Sequence, residues 1–243
     1  MPLKLSCATT DPSKASTDLL ALGVFVGDTI STTAPVDALD EMLGGSLAEL
    51  IQRQEFTGKK DQTLEVETLG RLPARRLLLV GLGVPADLTL AALRTFAARA
   101  GRTANASKAQ SLALGIAGKL DAEQARALAE GVVLGAYRFS KYLTGDRKPK
   151  AELTAATLLT TGKLDKIKKA ADLGFRIGTC VCYARDLINE PPNELTPIAL
   201  ATFAQSVAKS HKLSCKVFDG KAIEKMGMKL FIAVAQGSAN EPR

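Results

Sequence analysis

The sequence predicts an α/β protein, and two observations lead to that class. Short apolar runs with strand character alternate with longer amphipathic runs along most of the 243 residues, as in folds that pack helices against a sheet. The composition is 46% hydrophobic and 23% charged, which is typical of a globular chain and excludes a disordered one. No run reaches the roughly 18 apolar residues of a membrane-spanning helix, so we expect a soluble, cytoplasmic protein.

The first part of the chain carries six predicted strands and four predicted helices. The strands lie at 3–8, 19–26, 63–68, 76–80, 112–117 and 157–161, where apolar and β-branched residues cluster. Three helices are predicted at 37–43, 46–54 and 88–100. A fourth begins after Asp121, an N-cap with Gln124 three residues later, and runs toward Tyr142. A polar loop at 144–150 precedes the sixth strand.

One long helix is predicted from Lys163 to about Asn189. Its apolar positions recur at steps of three and four residues, and a rise of about 1.5 Å per residue gives it a length of about 40 Å. Pro191 and Pro192 end it, because proline lacks the amide proton and disfavours helix in the residue before it. We interpret this helix as a connector between two units.

The remaining residues predict the start of a second α/β unit. Thr196 is a predicted N-cap, and Pro197 occupies the first position of a helix over 198–210. A strand at 213–218, a helix at 221–226 and a strand at 230–235 follow. Two strands are too few to close a core, so we expect this unit to be incomplete.

Charge and cysteine content narrow the function classes. Residues 1–100 hold 10 basic and 12 acidic side chains, whereas residues 101–243 hold 22 basic and 13 acidic side chains. The net charge of +7 therefore comes entirely from the second part of the chain. The four cysteines, Cys7, Cys180, Cys182 and Cys215, are too few for a disulfide scaffold. Because His211 is the only histidine and no Cys-x-x-Cys pair occurs, a metal would need mainly oxygen ligands.

A glycine motif follows the predicted fourth strand. Gly81-Leu82-Gly83-Val84-Pro85-Ala86 has the order strand, Gly-x-Gly-x-x-Ala, helix, which is the layout of a dinucleotide-binding turn. Pro85 lies inside the turn, and residues 88–120 contain no acidic side chain that could bind a ribose. The motif therefore favours a tight strand-to-helix turn over nucleotide binding.

The other candidates for chemistry are equally isolated. His211 has no orienting acid nearby in sequence, and Cys180 and Cys182 lie two residues apart on a helix, so that one is expected to face the core. Asp219, Glu224 and Glu241 are scattered and lack metal-ligand spacing. A basic face could contact phosphates; it comprises Lys141, Arg147, Lys148, Lys150, Lys163, Lys166, Lys168 and Lys169. No catalytic, metal-binding or cofactor-binding residue is predicted.

The second half of the chain resembles the leucyl aminopeptidase (cytosol aminopeptidase) family. The resemblance rests on residues 184–197, which read ARDLINEPPNELTP, on Gly227-Met228, on 232–238, which read IAVAQGS, and on 241–243, which read EPR. Earlier, Glu130-Gly131 with residues 137–142, YRFSKY, is similar to the helix that closes the N-terminal domain of the family. The first 130 residues share with the family only their α/β rhythm and Val80-Gly81-Leu82-Gly83.

The resemblance implies the domain organisation. It implies a non-catalytic, mixed-sheet, macro-like domain at 1–162, a connecting helix at 163–190 and the beginning of an α/β peptidase domain at 191–243. The family removes N-terminal amino acids from peptides with two divalent metal ions, manganese or zinc, and assembles as hexamers. All of its metal ligands and catalytic residues lie beyond the position that corresponds to Arg243, so we expect this chain alone to bind no metal and to be inactive.

The sequence therefore indicates two alternative functions. The first is a leucyl aminopeptidase-like metallo-exopeptidase of which this chain is the N-terminal portion. The alternative is a non-enzymatic interaction or nucleic-acid-binding protein that uses the basic face of residues 141–169.

Overall fold

A mixed β-sheet lies at the centre of the first of two units, Met1–Tyr183 and Ala184–Arg243. This computed structural model describes residues 3–27 and 36–243, and among them six strands form one sheet in the order β1-β6-β5-β2-β4-β3. The strands are β1 (Lys4–Ala8), β2 (Leu19–Phe25), β3 (Thr63–Glu67), β4 (Arg76–Gly83), β5 (Ser111–Ile116) and β6 (Ala155–Leu159). Neighbouring strands run parallel, except that β3 pairs antiparallel with β4. The predicted α/β class with a mixed sheet is confirmed.

Helices cover both faces of the sheet. The helices of this unit are α1 (Val36–Met42), α2 (Ser46–Arg53), α3 (Leu90–Ala106), α4 (Ala122–Ala136) and the start of α5 (Leu164–Asn189). In β2, Leu19 and Ala21 pack with α3 and α4, whereas Leu20 and Leu22 pack with α1 and α2. All seven residues of β2 are buried, as is typical of a parallel strand covered on both sides.

The long helix α5 packs closely on α4. Its buried residues in the first unit, Ile167, Ala171, Gly174 and Gly178, follow steps of four, three and four. A Cβ atom on Gly174 would meet the backbone carbonyl of Arg126, so glycine allows the two helix backbones to approach. The predicted helix at 163–190 is therefore present, and much of it belongs to the first unit. The domain limits 1–162, 163–190 and 191–243 stay predictions, and the first range includes residues 1–2 and 28–35, which lie outside the described residues.

The end of α4 differs from the prediction. The helix stops at Ala136 and does not continue toward Tyr142. Asn105 of α3, only 8% exposed, donates a hydrogen bond of 2.8 Å from Nδ2 to the carbonyl of Ala136. Its Oδ1 accepts one of 3.0 Å from the amide of Leu153. The group that donates to the last carbonyl of α4 thus comes from a distant part of the sequence, and local helix periodicity does not reveal it.

The second unit is helical. It contains α6 (Pro197–His211), α7 (Gly220–Lys225) and α8 (Lys229–Ala235). The strands predicted at 213–218 and 230–235 are wrong, because the first segment has no regular structure and the second is α8. A strand needs a neighbour for its backbone groups, and residues 184–243, all of them described, contain none. Helix α8 satisfies them internally, for example through the 3.0 Å bond from the amide of Gln236 to the carbonyl of Ile232.

Asp18 joins the amino ends of β2 and β5. Its Oδ2 accepts hydrogen bonds from the amide of Gln110 (2.9 Å) and from the amide and hydroxyl of Ser111 (3.1 and 3.0 Å). Burial alone would raise the pKa of this carboxyl, but these bonds and the nearby Arg75 guanidinium lower it below its usual range.

We expect Asp18 to make the stability of the first unit depend on acidic pH. Because the folded-state pKa is lowered, its contribution is complete above the unfolded pKa of about 3.9 and is lost as pH falls through the folded-state pKa. The free energy of unfolding of Asp18→Asn should therefore lie below that of the unchanged protein at pH 6 and approach it near pH 2.5. Urea unfolding at both pH values measures this, with exposed Asp87 changed to Asn as the control. A difference for Asp18→Asn that is equal at both pH values would contradict it.

Candidate functional site

The backbone amides of the glycine motif are hydrogen-bonded to other backbone groups of the chain. The amide of Gly81 donates to the carbonyl of Gln62 (2.8 Å), and the amide of Gly83 donates to the carbonyl of Gly58 (2.9 Å). A Cβ atom on Gly81 would collide with the backbone of residues 58–59, which explains the glycine there. Pro85–Asp87 then forms one 3₁₀ turn before α3. The amides that would hold a pyrophosphate are thus paired, and the motif is the tight strand-to-helix turn that the sequence favours.

The segment that carries the family resemblance forms a capped turn between α5 and α6. The amide of Glu190 bonds to the carbonyl of Asp186 (3.1 Å), and the amides of Glu194 and Leu195 bond to the carbonyl of Pro191 (2.9 and 3.0 Å). Thr196 then caps α6, since its Oγ1 accepts from the amide of Ala199 (3.2 Å). These contacts shape the backbone of the turn between α5 and α6.

The second unit brings its three acidic candidates to one cavity. Asp219, Glu224 and Glu241 all line a space of about 460 Å³ beside α7 and α8. Two of them are engaged elsewhere: Asp219 Oδ1 accepts from the amide of Ala222 (2.8 Å) as the cap of α7, and Glu241 pairs with Arg243 (3.1 Å). The three acids therefore line one cavity, which the sequence did not indicate. They are not arranged to hold a metal ion.

The described part of the chain does not bring candidate metal ligands together. Residues 3–27 and 36–243 contain no group of three or more His, Cys, Asp or Glu side chains placed to hold a metal ion. None of the helices in these ranges combines the length and apolarity needed to cross a bilayer.

The histidine and cysteine candidates occupy structural positions. His211 lies in the last turn of α6, just before Lys212, whose left-handed backbone (φ 55°) ends the helix. Cys180 is exposed, whereas Cys182 packs against the core of the first unit. The prediction that one of this pair faces the core is confirmed.

The eight basic side chains fall into two groups. The segment with Lys141, Arg147, Lys148 and Lys150 leads into the amino end of β6, whereas the segment 163–169 follows its carboxyl end. The five residues of β6 separate these ends by about 16 Å. The two basic segments therefore lie toward opposite ends of β6.

The fold defines an α/β protein whose mixed-sheet unit is followed by a helical segment. The N-terminal domain model of the cytosol aminopeptidase family matches residues 21–146, and the catalytic domain model of the same family matches residues 182–243. The chain belongs to the cytosol aminopeptidase family.

Relatives and solved structures agree with this assignment. A protein of Alkaliphilus metalliredigens named probable cytosol aminopeptidase is 33% identical to this chain, over 95% of this chain and 47% of the relative. A protein of the same name from Geotalea uraniireducens is 37% identical, over 96% of this chain and 48% of the relative. A mutant of tomato leucine aminopeptidase has a TM-score of 0.86 at 26% identity over 99% of this chain and 49% of that chain. The bottromycin maturation enzyme BotP in complex with Mn has a TM-score of 0.70 at 28% identity, over 93% of this chain and 44% of that chain. The chain spans about half the length of the curated relatives it matches.

Proposed function

We propose that this chain is part of a leucyl aminopeptidase-like metallo-exopeptidase, which removes N-terminal amino acids from peptides. The observation that carries the proposal is the match of both family models, in order, to residues 21–146 and 182–243. The described fold supports it, because the mixed-sheet unit and the helical segment together resemble tomato leucine aminopeptidase over almost the whole chain.

The family implies two divalent metal ions, manganese or zinc, that would activate water and polarise the scissile carbonyl. Manganese is supported by the complex of the similar enzyme BotP. The described residues of this chain do not fit such a centre, because they offer no group of three candidate ligands. No metal ligand and no catalytic step is therefore assigned to a residue of this chain. Assembly as a homo-hexamer and a cytoplasmic location belong to the same proposal.

We expect the 243-residue chain alone to show no aminopeptidase activity. The reason is that catalysis in this family needs a two-metal centre, and the described residues hold no group of three or more candidate ligands for one. Hydrolysis of leucine p-nitroanilide with added manganese or zinc tests this, with a complete family member as the positive control. Metal-dependent turnover by the purified chain, lost on addition of a chelator, would overturn the expectation.

The alternative function, binding of nucleic acid through the basic face of 141–169, has weaker support because β6 separates the two basic segments. The intact mass of the native protein separates the two proposals. A mass near 25.6 kDa favours the binding protein, whereas about twice that mass favours the peptidase. A steep loss of DNA binding with rising salt would also favour the alternative.

A further inference from the structure

The chain leaves β1 and β6 toward opposite faces of the sheet. After β1 the chain continues on the face of the sheet that α1 and α2 cover, and Ala15 packs in the same apolar cluster as these helices. After β6 it enters α5, and Ile167 joins the cluster of α3 and α4 on the other face. Strand β5 likewise continues into α4 on that second face. Neighbouring parallel strands whose connections diverge leave a crevice at their carboxyl ends, which is where open α/β sheets bind ligands.

A cavity of about 340 Å³ lies at this position. It is lined by the residues that end or follow β1, β5 and β6, and its volume is within the roughly 300–1,000 Å³ of small-molecule sites. Ile116 and Leu159 give it an apolar part, whereas Thr9, Thr160 and Thr161 supply hydroxyl groups. The topology and the cavity therefore indicate the same place independently.

The cavity lining contains one cation, Lys119, one carboxylate, Asp11, and threonine hydroxyls, which can donate and accept hydrogen bonds. Thr160 is 5% exposed, and its Oγ1 accepts from the amide of Gly162 (3.0 Å), while its hydroxyl proton meets no acceptor among the described residues. The ammonium group of Lys119 likewise has no ion-pair partner in the described part of the chain. The acid of the lining, Asp11, already accepts two bonds from Ser13 (2.8 and 2.6 Å) through one oxygen.

We propose that this cavity binds a small molecule through a phosphate group. Lys119 and the Thr160 hydroxyl would donate to the phosphate oxygens, and Ile116 and Leu159 would contact the organic part. The site is independent of the peptidase proposal, since all of its residues lie in the first unit.

Titration of the complete 243-residue chain with inorganic phosphate and phenyl phosphate, followed by amide NMR spectra, tests the proposal. We expect saturable shifts centred on Gly118, Lys119, Thr161 and Gly162, with tighter binding of phenyl phosphate because of its apolar ring. Lys119→Ala and the isosteric Thr160→Val should each weaken binding at least fivefold. The control Lys148→Ala, an exposed lysine before the amino end of β6, should change it less than twofold.

Three results would overturn the proposal. The first is that chloride at equal ionic strength produces the same shifts. The second is that the shifts are spread over surface lysines and are not centred on the cavity. The third is that Lys119→Ala leaves the affinity for both phosphates unchanged. Lys119 is exposed, and the amide spectrum verifies that the variant is folded.

Discussion

Gly135→Ala is expected to lower the free energy of unfolding of the first unit by about 2 kcal/mol. Gly135 lies in α4 where its backbone touches that of α3, and an added Cβ atom would collide with the backbone of Ala98. Overpacking of this kind costs roughly 1–3 kcal/mol or more, and a backbone relieves it less easily than a flexible side chain does. The higher helix propensity of alanine, about 1 kcal/mol, offsets only part of this cost. Urea unfolding followed by circular dichroism measures the change.

The matched control is Gly237→Ala. Gly237 has no heavy atom within 4 Å of an added Cβ, and its backbone lies outside the left-handed region. This change should therefore move the unfolding midpoint very little. If Gly135→Ala is as stable as Gly237→Ala, then the close approach of α3 and α4 is not what requires glycine at 135.

Asn105→Leu is expected to destabilise the first unit by about 3 kcal/mol. The leucine matches asparagine in approximate size but leaves the Ala136 carbonyl and the Leu153 amide without their partner. Each buried polar group without a hydrogen bond costs roughly 1–3 kcal/mol. Urea unfolding gives the loss, and hydrogen exchange at Leu153 gives a local measure, because its amide should exchange much faster.

Two further variants test the assignment of Asn105. Ser107→Ala, at the end of the same helix, removes a hydroxyl that bonds only to the α3 carbonyls of Thr103 and Ala104, so its effect should be below about 1 kcal/mol. Asn105→Asp keeps the acceptor for Leu153 but loses the donor to Ala136, and it should leave exchange at Leu153 slow. Fast exchange at Leu153 in Asn105→Asp would contradict the bonding described for this side chain.

The parts of the fold that could be predicted are those with a local signal. The seven buried residues of β2 form a continuous apolar run between polar turns, and Asp121 with Gln124 makes the predicted capping box at the start of α4. The predictions are wrong where residues distant in sequence determine the local structure. The end of α4 depends on Asn105, 31 residues earlier, and the apolar run of α8 fits a strand as well as a helix until the absence of a pairing partner is known.

The same reason explains why the cavity could not be predicted. Thr9, Lys119 and Thr160 become neighbours only through the strand order β1-β6-β5, which no local pattern contains. By contrast, the sequence indicated correctly that the glycine motif forms a tight turn, because Pro85 lies within the motif itself.

The pairing of β1 with β6 has a consequence for folding during synthesis. Lys4 lies opposite Ala155, so the two strands are about 150 positions apart in the chain. At roughly 5–20 residues per second, β6 leaves the ribosome about eight to thirty seconds after β1. The first strand to be made must therefore wait for one of the last parts of its unit. During that interval it offers an unpaired backbone edge, to which a chaperone or a neighbouring nascent chain could bind.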